Sequence, residues 1–117
     1  MDIDQPVLCM DWYPSAKGSN EILALACSDG SFRLVNKAGR VEKSVSEAHQ
    51  TAIISIKWSY EGTLATAGED GFIKTWSRGG MLRSQLVQGS KPIYGMCWSP
   101  ENDSILYCCD KNLVITV

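Results

Sequence analysis

Three stretches of the chain carry apolar side chains at alternate positions and end on the same aromatic: PVLCMDWYP from Pro6, AIISIKWSY from Ala52 and PIYGMCWSP from Pro92. Four residues before each tryptophan stand Leu8, Ile54 and Tyr94, and two before it stand Met10, Ile56 and Met96. A period of two places these columns on one face of a β-strand. The column between them, Asp11, Lys57 and Cys97, is mixed, as expected of a face that is less demanding about what it accepts. The tryptophans, Trp12, Trp58 and Trp98, lie 46 and 40 residues apart, so the strand recurs at the ~40–45-residue period of a repeated unit.

Each copy continues with a second apolar run, Ile22 to Cys27, Leu64 to Ala67 and Ile105 to Cys109, followed by Asp29-Gly30, Asp70-Gly71 and Asp110-Lys111. Asp-Gly between two apolar runs predicts a tight hairpin, because glycine reaches positive φ without Cβ strain. Asp29, Gly30, Gly71 and Asp110 are therefore assigned to turns, and lysine in the third copy calls for a different turn geometry. A third strand follows at Phe32 to Val35 and Phe72 to Trp76, and a fourth, after a glycine turn, at Val41 to Val45 and Met81 to Leu86. No stretch has the period of an amphipathic helix, so the expected class is all-β with four short antiparallel strands per unit.

Composition narrows the function. Of 117 residues, 44% are hydrophobic and 21% charged, which suits an ordered globular domain. Eleven basic residues against thirteen acidic give a formal charge of −2, so there is no basic field for a phosphate backbone and nucleic acid is not an expected partner. The amino terminus is acidic where a secretory signal is basic, and no apolar stretch approaches the ~20 residues that span a bilayer. A chain of the cytosol or a compartment continuous with it is expected, without membrane insertion. Five cysteines, none in a C-x-x-C pair, predict free thiols rather than a disulfide framework or a zinc knuckle. Cys108 and Cys109, adjacent on a strand, would face opposite sides and could not readily grip one metal ion. There is no G-x-S-x-G elbow, phosphate loop or H-E-x-x-H, so no catalytic residue, metal, cofactor or small-molecule substrate is expected.

The second unit, His49 followed by LATAGEDGFIKTW from Leu64, resembles a repeat of the WD40 family. That resemblance implies a blade of a β-propeller, locked by a hydrogen-bond relay whose members here would be His49, Thr66, Asp70 and Trp76. The residue types suit it: a neutral imidazole donates and accepts, a carboxylate takes its N–H, a hydroxyl bridges and an indole donates. Leu25 and Val35 in the first unit, and Leu106 and Thr116 in the third, replace two members, so only the middle unit holds a full relay. The four tryptophans, all at repeat positions, are expected in the core.

The expected architecture is a partial propeller of nearly three antiparallel blades, over residues 6–45, 49–88 and 92–117, that does not close a ring and is a fragment, short isoform or truncated reading of a longer protein. The strings SDGSFRLVNKAGRVEKSV from Ser28 and EDGFIKTWSRGGMLRSQL from Glu69 are similar to consecutive blades in WD40 subunits of intraflagellar transport complex B. This implies a non-catalytic scaffold needed for cilium assembly, in cytoplasm and cilium, with other subunits of that complex as partners. Fold alone would equally serve a ubiquitin-ligase substrate receptor, a chromatin reader or a vesicle coat. Candidate partner contacts are Ser28, Thr51 and Glu69, which share one rim.

Overall fold

A computed structural model describes residues 6–13, 22–89, 91–100, 104–109 and 112–116. Its regular elements are all strands, arranged in three antiparallel sheets. The first blade is β1 (Val7–Trp12), β2 (Ile22–Cys27), β3 (Phe32–Asn36) and β4 (Val41–Val45), paired in chain order. The second is β5 (Ile53–Trp58), β6 (Leu64–Gly68), β7 (Phe72–Trp76) and β8 (Leu82–Gln88), again in order. In the third, β9 (Ile93–Trp98), β10 (Ile105–Cys109) and β11 (Asn112–Thr116) pair consecutively. The expected all-β class and the open row of antiparallel blades are what the structure shows.

The strand positions follow the apolar pattern closely, and β8 departs for a local reason. Met81 was expected to open that strand but belongs to the turn, where its N–H donates to Ser77 Oγ (3.1 Å) and its carbonyl accepts the Ser77 N–H (2.8 Å). The β2–β3 and β6–β7 turns are closed by their aspartates. Asp29 accepts the Ser31 N–H at 3.0 Å and Asp70 accepts the Phe72 N–H at 3.1 Å. The third such turn, with Asp110, lies outside the described residues.

The core sits between the sheets. Ile22, Ala24, Ala26, Phe32 and Leu34 of the first blade meet Ile53, Ile56, Trp58, Leu64 and Trp76 of the second. Phe32 stands edge-on to Trp76 with ring centroids 4.9 Å apart, a favourable quadrupole arrangement. A second cluster joins Ala65, Ala67 and Ile73 to Ile93, Met96 and Ile105 across the next boundary. Alanine at 24, 26, 65 and 67 lets neighbouring sheets approach while the larger residues interdigitate.

Hydrogen bonds clasp one blade to the next at these boundaries. The Trp58 indole N–H donates to the Asp11 carbonyl (3.2 Å), and its backbone N–H donates to the Asp11 carboxylate (2.9 Å). One blade further on, the Trp98 indole N–H donates to the Lys57 carbonyl (3.1 Å). The mixed column of the first strands therefore supplies backbone acceptors, which any residue type can provide.

The expectation that all four tryptophans are core residues is corrected at Trp12, which is 52% exposed, whereas Trp58 and Trp76 are buried. The tryptophan column faces the preceding blade, and among the described residues nothing lies against that face of β1. Leu8 (49%) and Met10 (57%) are exposed beside it, forming an apolar stripe. Such a stripe promotes association. Replacing Leu8 and Met10 together with lysine is expected to lower the apparent mass in light scattering and leave the near-ultraviolet dichroism unchanged; a lost dichroism signal would show that the stripe is needed for folding instead.

Candidate functional site

The four residues assigned to the relay come from the second blade and the connection entering it. His49 lies between β4 and β5, where its backbone N–H donates to the Gly30 carbonyl (3.0 Å), and its side chain is buried. Thr66 projects from the centre of β6, Asp70 from the β6–β7 turn, and Trp76 ends β7. The structure brings them together: Trp76 Nε1 lies 2.9 Å from Thr66 Oγ1, His49 Nε2 lies 2.7 Å from the same oxygen, and His49 Nδ1 lies 3.1 Å from the Asp70 carboxylate.

Donor inventory fixes the proton positions. The indole can only donate, so Thr66 Oγ1 accepts from Trp76; the Asp70 carboxylate can only accept, so Nδ1 carries the proton of the neutral ring and Nε2 accepts the Thr66 O–H. The carboxylate also accepts the Gln50 N–H at 3.2 Å. Burial, the leading cause, pulls the His49 pKa below its ordinary 6.5 against the opposing pull of Asp70. The ring is thus neutral at pH 7, as the proton order requires. Thr66 and His49 are 0% and 1% exposed, and both ring nitrogens of the imidazole are engaged within the relay.

Ser28, Thr51 and Glu69 all lie at the same end of the sheets, with the β2–β3 and β6–β7 turns. Thr51 and Glu69 are exposed and Ser28 is half-buried. Backbone bonds hold the rim: the Ser28 N–H donates to the Pro6 carbonyl (3.0 Å) and the Glu69 N–H to the Ala52 carbonyl (3.0 Å). At Asp29 the Ser31 hydroxyl is the main cause that holds the carboxyl below the usual range. A polar cavity of about 570 Å³ between Asp29, Glu47, His49, Gln50 and Lys74 opens on this rim. Lys74 is steadied there by donating to the Ala48 carbonyl (2.7 Å) and by lying 5.6 Å from the centre of the Phe72 ring.

Sequence reasoning missed Asp11 and Lys74, whose contacts go to backbone atoms of distant segments and leave no spacing signal. It also missed a function of Gly30 beyond its turn, since that glycine packs against the backbone of residues 49 and 51.

The cysteines are free. Burial pushes the Cys9 thiol up to about 11, Cys27 is buried, and Cys97 and Cys108 are exposed. Alkylation by iodoacetamide at pH 8, followed by peptide mass spectrometry, is expected to modify Cys97 and Cys108 first. From the two-unit rise, Cys9 should hold about a hundredfold less thiolate than a thiol at 9.0. Equal labelling of Cys9 and Cys97 would contradict the packing at the first blade boundary.

Residues 41–77 match the family described as WD domain, G-beta repeat. Over 112 residues, 91% of its length, the chain is 46% identical to the intraflagellar transport protein 80 homologs of Mus musculus and Rattus norvegicus, and it spans 14% of their length. Over 65 residues, 54% of its length, it is 37% identical to the F-box-like/WD repeat-containing protein TBL1X of Homo sapiens, spanning 11% of that protein.

Proposed function

The chain belongs to the WD40-repeat family, and on that premise we propose that it is a non-catalytic protein-interaction scaffold of intraflagellar transport. The observation that carries this reading is the 46% identity over 91% of the chain to intraflagellar transport protein 80 homologs, against 37% over 54% for the F-box-like relative. A match over 91% of the chain takes in all three blades and so spans loops as well as strands, and loops are where partner choice is written on a propeller.

The geometry suits such a role. The relay of His49, Thr66, Asp70 and Trp76 ties the entering connection to β6 and β7, holding Thr51 and Glu69 on a rigid rim rather than on mobile loops. Partners are other subunits of intraflagellar transport complex B, the site of action is cytoplasm and cilium, and the consequence of the assembly is the building of cilia. No cofactor enters this function.

Expression of the tagged chain in ciliated cells, with affinity capture and imaging, tests the reading. Co-purification of complex B subunits and signal at the ciliary base and axoneme are the expected result. Enrichment of ubiquitin-ligase subunits with no ciliary signal would favour the adaptor reading that the F-box-like relative suggests.

A further inference from the structure

The end of the sheets opposite the relay carries a feature that the scaffold reading does not use. At the boundary between the first and second blades, Tyr13 follows Trp12 and seats its ring edge-on against Trp58, with centroids 5.0 Å apart and planes at 77°. The Arg78 guanidinium lies 5.3 Å from the centre of the Tyr13 ring. Ring and cation together close that boundary.

At the boundary between the second and third blades the residue following the tryptophan is Ser59, whose hydroxyl turns inward to accept the Thr63 N–H (3.0 Å). Among the described residues no aromatic ring stacks on Trp98. A cleft of about 290 Å³ is open there, walled by Trp58, Trp98, Tyr60 and Pro100, with Lys57 at its edge. The Trp98 indole N–H is already committed to the Lys57 carbonyl, so what the indole offers to the cleft is its apolar surface. Tyr60 is 82% exposed and Lys57 is exposed, and no carboxylate is among the described residues that line the cleft.

We propose that this cleft is a docking site for an aromatic side chain carried on an acidic segment of a partner protein. The first boundary supplies the template: a ring edge-on to the tryptophan, with a cation beside it. At the second boundary no described residue supplies the ring, while the tryptophan and a cation, Lys57, are present. Lys57 selects carboxylates flanking the incoming ring, and Pro100 and Tyr60 complete the walls. The proposal rests on the reading of the chain as a protein-interaction scaffold and names one surface and one class of partner for it.

The test uses the 117-residue chain, with an acetylated acidic peptide bearing a central phenylalanine as probe. Matched peptides carry alanine or two prolines at the centre. Indole N–H resonances, assigned with Trp→Phe variants, are followed during titration. Saturable shifts of Trp98 and Trp58 with the phenylalanine peptide, and none with the alanine peptide, are expected. Lys57→Glu and Tyr60→Ala alter exposed side chains and should each weaken binding, the first by about tenfold or more through charge reversal at the rim. An equal response to the alanine peptide, preference for the proline peptide, shifts confined to Trp12, or unchanged affinity in Lys57→Glu would each overturn the proposal. A chain that enters the ciliary complex yet ignores the phenylalanine peptide overturns the cleft alone. A chain that binds the peptide and never enters that complex overturns the scaffold assignment alone.

Discussion

Replacing His49 with alanine is expected to lower the stability of the protein by about 2–4 kcal/mol, on the order of 10 °C in melting temperature. Two costs combine. The Thr66 hydroxyl, fully buried, loses the acceptor for its proton and finds no water to replace it. The imidazole also leaves a cavity between β6 and the connection that crosses it. If the four groups act as one network, Thr66→Val and His49→Ala should not be additive, because either change breaks the chain between Trp76 and Asp70. Thermal melts of the two single variants and the double variant measure this directly. A melting temperature unchanged in His49→Ala, or strict additivity, would sink the relay as a stabilising unit.

The same histidine gives the stability a pH signature. Its folded pKa lies below its ordinary 6.5, so the unfolded chain binds the proton more readily. Stability from this group is therefore complete above 6.5 and is lost as pH falls through 6.5 toward the folded value. Asp29, whose carboxyl is also held low, acts in a separate and more acidic window, present above 3.8 and lost below it. His49→Ala should flatten the first window and leave the second in place. Unfolding by denaturant at a series of pH values separates the two.

Much of the fold was legible because alternation, turn chemistry and repeat spacing point to the same strands. Leu8, Met10 and Trp12 show where that reasoning stopped. Alternation identifies one face of a strand as apolar, but whether a neighbour covers it depends on the packing of whole sheets. The identical column is covered at Ile56 and Trp58 and open at Met10 and Trp12. The relay was readable as four residue types at family spacing, and the structure places the four within hydrogen-bonding distance. The clasps at Asp11 and Lys57 were not readable: the indoles are accepted by backbone carbonyls, which exert no selection on the side chain of their own residue, and the Asp11 carboxylate reaches a backbone N–H 47 residues away, which leaves no spacing signal. Nor was the open cleft at Trp98, since a serine in place of a tyrosine after the tryptophan acquires meaning only when the neighbouring boundary is seen to be filled.

Replacing Gly30 with alanine is expected to cost about 2–5 kcal/mol, a loss of the same order as that of the histidine. Gly30 sits at φ +88°, where an L side chain is strained by about 1–2 kcal/mol. An added Cβ would also run into the His49 carbonyl oxygen and lie 2.7 Å from that of Thr51, both backbone atoms that cannot swing aside as a side chain could. Relief requires moving the segment that carries His49, whose own N–H is bonded to the Gly30 carbonyl at 3.0 Å. Gly39 supplies the control: its φ is +83°, but nothing lies within 4 Å of the position its Cβ would take. Gly39→Ala should therefore show the conformational strain alone, while Gly30→Ala adds the displacement of the relay. Trp76, at the far end of that relay, reports the difference: its near-ultraviolet dichroism should change in Gly30→Ala and persist in Gly39→Ala. Equal losses of stability with an unchanged Trp76 signal would mean that the turn conformation accounts for the whole effect and that the entering connection is not wedged against the first blade.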